Sequence, residues 1–382
     1  MENNMIYITM KQKPKENQIT WLDLLSEDLT MNDMVTPGAA GTITRTLDEA
    51  TPELLSRIDV PAMINRLKRF NEAHQNLFEA DRKSLYRHFN IPKRTGGLRP
   101  IDAPCEELKL ALSELVMILT EKFGVLHHTA AYAYIKKRSC PHLVRKHQVN
   151  ESNWFYKTDV SGFFPSTTLE FAMRMMRMIF PLSEICKDKE GYKELEKAIS
   201  LGFLNGVLPQ GSPLSPALTN ILCIPIDHRI FNELAHKRFV YTRYADDLHI
   251  SCVQKFDPDK MTEYIKKVFA EFGAPWTLKP EKTHYGSRKG SNWMLGVMLN
   301  ADNNITVGYR NKATFKAMTC SLIQDYKHNK HWPVDDVQQY LGLLSYYKMV
   351  EPEYFDALIH RFDDKFHVDT KRILKQLTSV SV

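Results

Sequence analysis

One acidic pair constrains this chain more than any other feature. Asp246 and Asp247 lie between two short runs of β-branched and aromatic residues, at 239–244 and 248–251. Such runs predict two strands, and the acidic pair would occupy the tip of the hairpin between them. Because side chains on a strand alternate between faces, the two carboxylates share a face only if the turn re-aims one. The turn could present carboxylate oxygens to Mg²⁺, or it could be an ordinary solvated turn.

Length and composition bound the class of protein. The chain has 382 residues, more than an average domain, which allows one large enzyme core with appendages. No apolar run is long enough to predict a membrane span, and residues 1–5 lack the pattern of a secretion signal. The six cysteines are far apart and form no C-x-x-C pair, which argues against a zinc site and indicates reduced thiols in a cytosol.

The charge is unevenly distributed along the chain. The net charge is +6, yet residues 1–60 hold five Lys/Arg against ten Asp/Glu, a balance of −5 that leaves +11 for the remainder. A basic body with an acidic leader suits a polyanionic partner such as nucleic acid. Uneven surface charge on an ordinary soluble protein is equally compatible with these numbers.

Two basic segments precede the acidic pair. Residues 89–101 predict a hairpin around a Gly-Gly turn, which Lys93 and Arg99 flank. Cations placed in this way could hold a triphosphate, although a basic surface hairpin has the same pattern. The second segment is denser and suits either a phosphate backbone or a solvated helix face. It comprises Lys136, Lys137, Arg138, Arg145 and Lys146.

A third acid precedes the pair on a separate predicted strand. Asp159 lies near the end of the strand 155–160, and an irregular loop with three prolines and a glycine follows at 207–216. Carboxylates on neighbouring strands could hold two Mg²⁺ ions, with Mn²⁺ as a substitute. Phosphoryl transfer depends mainly on position and charge, so three acids with nearby cations would suffice chemically.

These motifs, in this order, resemble those of the reverse transcriptase family. Asp159 with the F-F-P-S run at 163–166 is similar to its first catalytic motif. The L-P-Q-G-S-P-L-S-P run at 208–216 resembles its template- and nucleotide-contacting loop, and Y-A-D-D at 244–247 resembles its acidic box. The resemblance extends over residues 88–300, and the order of the motifs makes it far more specific than a lone Y-x-D-D.

The resemblance implies roles for the residues at the predicted catalytic centre. Asp159, Asp246 and Asp247 would be catalytic, and together with the backbone carbonyl of Val160 they would bind the two Mg²⁺ ions. Lys282 would protonate the departing pyrophosphate. A surface position without a catalytic role is the alternative for Lys282.

The resemblance also implies contacts to the nucleotide and the primer. Lys93 and Arg99 would be the nucleotide-binding cations of the fingers, and Gln210 would contact the incoming nucleotide. Phe164 would be the aromatic gate that rejects a ribose 2′-hydroxyl, with core packing as its alternative. Gly296 would lie on the primer-grip strand, predicted at 293–299.

The family resemblance implies an α+β right-hand polymerase fold. We expect an acidic N-terminal extension at 1–55, fingers and palm at 56–300, and a helical thumb and tail at 301–382. Arg310, Lys312 and Lys316 open the predicted thumb helix. Lys312 and Lys316 are four residues apart and would share a face that follows the template–primer backbone.

Within the family, the sequence is most similar to bacterial retron and other phage-defence reverse transcriptases. Residues 138–142 keep only the histidine of the usual retron N-A-x-x-H motif, and the M-L-G run at 294–296 is nearer to group II intron enzymes. The resemblance implies a bacterial cytoplasmic RNA-directed DNA polymerase with no membrane partner. It would copy a dedicated structured non-coding RNA into cDNA from dNTPs, in anti-phage defence, with an effector protein or a second copy of the chain as a further partner.

Three alternatives to this function stay open. The chain could synthesise DNA without a template or from a protein primer, as some defence relatives do. It could act as a group II intron-like reverse transcriptase. It could also be an RNA-binding scaffold whose polymerase core is spent, although the intact set of acids argues against this third alternative.

Overall fold

The computed structural model describes residues 7–11, 42–45, 58–93, 96–290, 292–330 and 332–379. The chain forms two compact units, one of residues 1–138 and 156–285 and the other of residues 139–155 and 286–382. In the predicted extension, the structure describes two antiparallel strands, β1 (Tyr7–Lys11) and β2 (Thr42–Arg45), and the rest lies outside the described residues. No helix in the described ranges combines the length and apolar character that crossing a bilayer requires.

The basic hairpin of the first unit forms as predicted. Strands β3 (Tyr86–Pro92) and β4 (Leu98–Pro104) pair antiparallel from Tyr86 opposite Pro104 to Pro92 opposite Leu98. The amide of Lys93 donates to the carbonyl of Gly97 at 3.0 Å and closes the turn. Gly96 and Gly97 both have positive φ, a conformation that glycine adopts without a steric penalty.

A five-stranded sheet carries the predicted catalytic residues. Its strands are β5 (Trp154–Ser161), β6 (Phe239–Tyr244), β7 (Asp247–Cys252), β8 (Thr277–Leu278) and β9 (His284–Ser287). The order is β6-β7-β5-β8, and β9 also pairs with β5. Five of the eight residues of β5 are buried, and they occupy both of its faces, so this strand lies inside the unit.

Helices build the rest of the first unit around one apolar core. They span Val60–Ala73, Gln75–Glu79, Glu106–Met117, Leu169–Met176, Leu182–Lys187, Lys189–Ser200, Leu214–Leu222, Ile224–His236 and Pro258–Glu271. The last two helices before β6, Leu214–Leu222 and Ile224–His236, are separated only by Cys223. Pro225 explains the division, because proline lacks an amide hydrogen and suits the first turn of a new helix.

The second unit has its own aromatic core and four consecutive helices. These span Tyr309–Lys327, Val334–Val350, Pro352–Phe366 and Thr370–Ser379, and Cys140–Val149 adds a further helix. The ring of Phe315 stacks on Tyr340 at 5.0 Å and contacts Phe355 edge-on at 5.4 Å. A short hairpin of β10 (Met298–Leu299) and β11 (Ile305–Thr306) completes the unit.

The strand predicted at 293–299 does not form over this span, and the predicted contact of Gly296 with the primer stays a prediction. Met294 and Val297 form a bridge with reciprocal backbone hydrogen bonds, and Leu295 and Gly296 both have positive φ. Two consecutive positive φ angles belong to a tight hairpin turn, because an extended strand requires negative φ. Gly296 is therefore exposed at a turn, and only Met298 and Leu299 are in a strand. The division between palm and thumb at residue 300 stays a prediction.

Candidate active site

The acidic pair lies at the tip of a hairpin. Tyr244 at the end of β6 pairs with Asp247 at the start of β7, so Ala245 and Asp246 form a two-residue turn. Ala245 has a φ of 56°, in the left-handed region that the first position of a hairpin turn of this class requires. Asp246 lies in the turn and Asp247 begins β7, so the two residues are not neighbours on one strand. The alternation of side chains along a strand therefore does not force their carboxylates to opposite faces.

The structure brings Asp159 beside this turn. The amide of Val160 donates to the carbonyl of Asp246 at 3.0 Å, so β5 is hydrogen-bonded to the turn itself. Asp159 is only 4% exposed. The charges of Asp159 and Asp247 both act on the pKa of Asp246, which reflects the proximity of all three carboxylates.

Three lysines approach two of the three acids. Lys282 Nζ donates to Asp159 Oδ2 at 2.7 Å, and Lys279 Nζ donates to Asp159 Oδ1. Lys157 Nζ lies 3.3 Å from Asp247 Oδ1. Sequence reasoning identified Lys282 but missed the other two. A signal for Lys157 was available, since a residue two positions before Asp159 on a strand shares its face.

The pKa shifts follow from burial and from this uneven pairing. Burial, with the charges of Asp159 and Asp247, raises the pKa of Asp246 to about 6. Burial also raises the pKa of Asp247, although Lys157 opposes the shift. Desolvation acts to lower the pKa of Lys282, but its hydrogen bond to Asp159 and the three nearby carboxylates outweigh that effect and raise it.

The donor set of the site fits a magnesium ion that also binds a substrate. Carboxylate and carbonyl oxygens are hard ligands, and burial together with the charges of Asp159 and Asp247 raises the pKa of Asp246, which a bound cation would offset. In the described part of the chain, no three His, Cys, Asp or Glu side chains form a ready-made metal cage. Mg²⁺ does not require one, because it commonly binds one or two carboxylates together with substrate phosphates.

The predicted nucleotide-contacting loop is hydrogen-bonded to the basic hairpin. The amide of Asp102 on β4 donates to the carbonyl of Gln210 at 2.7 Å. Gly211 has a φ of 121°, and a Cβ there would lie 2.9 Å from the carbonyl oxygen of Asp102, so only glycine permits this approach. Lys93 and Arg99 on the same hairpin are exposed. The side-chain oxygen Oε1 of Gln210 is buried without a hydrogen-bond partner among the described residues.

Phe164 lies at the edge of the core. Its ring is partly buried and lies 5.6 Å from the ring of Phe163, which in turn packs against Trp276 at 4.9 Å. Phe163 is thus the core member of the pair, and Phe164 keeps an accessible surface. This position is compatible with the predicted gate, which stays a prediction.

The predicted basic patch is divided between the two units. Lys136 and Lys137 are exposed in the first unit, whereas Arg138 donates to the carbonyls of His128 and Ala131. These bonds show that Arg138 also holds its own loop. Lys146 and the exposed Arg145 belong to the helix Cys140–Val149 of the second unit.

The predicted thumb cations differ in their surroundings. Arg310 and Lys316 are exposed on the helix Tyr309–Lys327. Lys312 forms an ion pair with Glu351 and lies 4.2 Å from the ring centre of Tyr354. Glu351 also accepts hydrogen bonds from the Thr306 hydroxyl and the Val307 amide, so Lys312 contributes to the packing of its own unit.

Comparison with known proteins identifies the family. Residues 91–305 match the family described as reverse transcriptase (RNA-dependent DNA polymerase), and this span is more than half of the chain. The chain belongs to the reverse transcriptase family. The predicted family, its α+β polymerase fold and its RNA-directed DNA polymerase activity are thereby confirmed. Members of the family generally depend on divalent metal ions.

Similar proteins include retron enzymes. The retron Ec73 reverse transcriptase of Escherichia coli is 26% identical over 287 residues, which cover 72% of this reverse transcriptase and 86% of that protein. The retron Mx162 reverse transcriptase of Myxococcus xanthus is 26% identical over 294 residues, covering 72% and 59% respectively. Telomerase from Candida tropicalis in complex with an RNA fragment aligns at a TM-score of 0.46 with 13% identity, covering 81% of this chain and 60% of that one.

Proposed function

We propose that this reverse transcriptase copies a dedicated structured non-coding RNA into cDNA, using dNTPs and divalent metal ions. The observation that carries the proposal is the group of Asp159, Asp246 and Asp247 at one end of the sheet, in a chain similar to retron enzymes. A partly buried group of like charges is costly to fold, which argues for a binding role.

The metal-binding groups would be the three carboxylates together with the backbone carbonyl of Val160. When bound there, two Mg²⁺ ions, or Mn²⁺ as a substitute, would lower the pKa of the primer 3′-hydroxyl and neutralise charge on the transferred phosphates. Asp246 and Asp247 would approach from the hairpin tip and Asp159 from β5, so two neighbouring strands would set their spacing.

Lys282 is suited to be the general acid. Its raised pKa keeps the ammonium protonated at neutral pH, and its hydrogen bond to Asp159 holds it beside the acids. From this position it would donate a proton to the departing pyrophosphate.

Nucleotide selection would depend on the basic hairpin, the loop at 207–216 and Phe164. Lys93 would contact the triphosphate as a point charge and Arg99 as a planar fork. Gln210 would contact the nucleotide, and its side-chain oxygen, which is buried without a hydrogen-bond partner among the described residues, would accept a hydrogen bond once it is exposed. The accessible ring of Phe164 would pack against the sugar and leave no room for a 2′-hydroxyl.

The RNA would be held mainly through its phosphates, which give affinity without sequence choice. We propose that two groups of exposed or partly exposed cations divide this work. Arg310, Lys312 and Lys316 would follow the template–primer duplex, and the earlier patch would bind folded RNA. That patch comprises Lys136, Lys137, Arg138, Arg145 and Lys146.

The experiment is to purify the protein from its host, sequence the RNA that accompanies it, and sequence the DNA made from all four dNTPs. We expect the DNA to be complementary to one abundant structured RNA, and RNase treatment before dNTP addition should abolish synthesis. The double variant Asp246→Asn/Asp247→Asn should retain the RNA and make no DNA. DNA of unrelated sequence that survives RNase treatment would instead support the untemplated or protein-primed alternative.

The defence role is a separate part of the proposal. Similarity to retron enzymes motivates it, and it includes an effector protein or a second copy of the chain as partner. The test is phage plating on cells that carry the native locus, with the Asp246→Asn/Asp247→Asn variant as the matched control. Equal plating efficiency with the native and variant loci, over a broad phage panel, would contradict the defence role.

A further inference from the structure

A buried ion pair lies beneath the acidic hairpin. Arg243, on β6, is 2% exposed, and Asp227, on the helix Ile224–His236, is fully buried. Arg243 Nε donates to Asp227 Oδ1 at 2.9 Å, and Arg243 Nη2 donates to Asp227 Oδ2 at 2.8 Å. The Tyr241 hydroxyl also donates to Asp227 Oδ1, at 2.7 Å. The carboxylate is thus fully engaged, and it fixes the plane of the guanidinium.

The remaining nitrogen of Arg243 contacts the turn. Arg243 Nη1 donates to the carbonyl of Ala245 at 3.1 Å and to Oδ1 of Asn220 at 3.0 Å. The amide of Asn220 donates in turn to the carbonyl of Ala133 at 2.8 Å. Asn220 and Asp227 therefore hold the guanidinium from two sides, which leaves Nη1 directed at the turn.

Both carbonyls of the two-residue turn are hydrogen-bonded from below. The carbonyl of Ala245 accepts from Arg243 Nη1, and the carbonyl of Asp246 accepts from the amide of Val160 at 3.0 Å. Successive carbonyl directions define the orientation of the peptide units between them. These two bonds therefore set the directions in which Asp246 and Asp247 leave the backbone.

The backbone of the turn is strained at Ala245. Ala245 carries a side chain yet has a φ of 56°, a conformation that costs free energy for any residue other than glycine. Such a conformation persists where surrounding contacts over-determine it. The hydrogen bond from Arg243 is one such contact, because it engages the carbonyl of the strained residue itself.

We propose that Arg243 is a positioning residue for the acidic pair, oriented by Asp227 and Asn220, and that its role is to hold the strained Ala245 turn. The proposal rests on the proposed catalytic role of Asp246 and Asp247. Stability alone does not explain why an ion pair is buried here, since such pairs contribute little net stability relative to apolar residues of similar size. The proposal gives this ion pair a function.

The central experiment compares Arg243→Lys with the double variant Arg243→Lys/Ala245→Gly. Lysine keeps a positive charge near Asp227 but cannot reach Asp227, Asn220 and Ala245 together. We expect kcat for primer extension on an RNA template to fall roughly 10- to 100-fold, with less than about a threefold change in the KM for dNTP. Glycine adopts positive φ without strain, so the double variant should recover at least roughly threefold of kcat.

A purely structural role for Arg243 predicts a different pattern. In that case kcat would follow the thermal midpoint of unfolding, and Ala245→Gly would restore neither. We expect instead that the second substitution recovers kcat while the thermal midpoint stays low, because the buried pair is still incomplete. Failure of the rescue, or kcat within about threefold of wild type in folded Arg243→Lys, would overturn the proposal.

Two further variants keep the test decisive. If Arg243→Lys does not fold, Asn220→Ala replaces it in the test, because this variant removes only the hydrogen bond between Asn220 and Arg243 Nη1. We expect Asn220→Ala to lower kcat roughly threefold or more, and Ala245→Gly to recover that loss. Wild-type kcat in folded Asn220→Ala would then overturn the proposal. Arg82→Lys is the matched control, because Arg82 donates to the carbonyl of Leu201 away from the turn, and its kcat should not change.

The outcomes separate this proposal from the proposed function. If Asp246→Asn/Asp247→Asn retains DNA synthesis, the catalytic role of the acids is wrong and the positioning role falls with it. If that double variant is inactive while the Arg243 and Asn220 variants behave like wild type, only the positioning role is wrong.

Discussion

Replacing Asp246 with Asn should stabilise the folded protein at neutral pH while it ends DNA synthesis. Burial and the charges of Asp159 and Asp247 raise the pKa of Asp246 from its ordinary 3.8 to about 6. Among the described residues, Asp246 forms no ion pair with a lysine or arginine, whereas Lys279 and Lys282 approach Asp159 and Lys157 approaches Asp247. Its ionised form is therefore the least compensated of the three.

The sign of the effect follows from proton binding. Between pH 3.8 and about 6 the folded state keeps the Asp246 proton that the unfolded state has already released, so stability falls as pH rises. By pH 7 the full shift corresponds to roughly 3 kcal/mol, since each tenfold change in proton affinity is about 1.4 kcal/mol. Partial solvent access and relaxation reduce this upper bound, and we expect a net gain of about 1–2 kcal/mol for Asp246→Asn.

The assay is thermal unfolding in EDTA at pH 7 and at pH 4. At pH 7 the midpoint of the Asn variant should exceed that of wild type by about 1–3 °C. At pH 4 the difference should largely disappear, because the wild-type folded state then carries the protonated carboxyl. Saturating Mg²⁺ should stabilise wild type more than the variant and narrow the gap at pH 7.

Asp247→Asn is the matched comparison. Burial raises the pKa of Asp247 as well, but Lys157 opposes the shift, so this variant loses an ion pair and should gain less stability than Asp246→Asn. The reasoning is refuted if Asp246→Asn is destabilised equally at both pH values. That result would mean that the Asp246 carboxylate is well solvated or makes a stabilising contact of its own.

Three further predictions concern substrate contacts. Phe164→Ala should raise incorporation of rNTPs relative to dNTPs roughly tenfold or more, and an unchanged ratio in single-nucleotide extension would mean that the ring only packs. Lys282→Gln should lower kcat about 100-fold, and a loss in single-turnover rate that is equal at all pH values would argue against proton donation. Neutralising Lys136 and Lys137 should weaken binding of the cognate RNA more than binding of a random RNA. Lys316→Gln should weaken binding of any RNA–DNA duplex and should lower the slope of log affinity against log salt concentration by about one unit or less. Equal losses for both RNAs in salt titrations would contradict that division.

The local fold could be predicted where neighbouring residues in the sequence form a turn or strand motif. The Gly-Gly turn marked the hairpin of Lys93 and Arg99, and the run of β-branched and aromatic residues before Asp246 marked the strand that precedes the acidic turn. The prediction of a strand at 293–299 was wrong, because buried apolar residues such as Met294 and Val297 can flank a tight turn as well as lie within one strand. The positive φ of Leu295 is a tertiary outcome that no residue type at that position signals.

The site could be predicted only as far as its charged motifs extend. The order of the motifs located Asp159 and the acidic pair, since each follows a recognisable strand. The support beneath them could not be located, because Asn220 and Asp227 are two of several polar residues on their helices, and a polar residue on a helix predicts no particular partner. Their partner Arg243 is identified only once the fold brings β6 against those helices.

Lys279 shows how one side chain can set a metal requirement. Its ammonium donates to Asp159 Oδ1 and lies 3.4 Å from the carbonyl oxygen of Val160, and both oxygens are proposed metal ligands. An ammonium and a divalent cation repel one another and cannot share these oxygens, so Lys279 should weaken metal binding. Charges about 4 Å apart repel by about 1 kcal/mol or more, even when water screens them. A repulsion of this size between the Lys279 ammonium and the bound metal ion would lower the affinity for the metal roughly fivefold.

We therefore expect Lys279→Met, which keeps an unbranched side chain of similar length and removes its charge, to need less metal. The Mg²⁺ concentration at half-maximal rate should fall roughly fivefold, and Mn²⁺ binding followed by electron paramagnetic resonance should tighten by a similar factor without any catalysis. Lys279→Arg is the control, because it keeps the charge and should keep the metal requirement. If the Met and Arg variants bind Mn²⁺ equally, the charge of Lys279 does not compete with the metal, and its contact with Asp159 serves only to neutralise a buried acid.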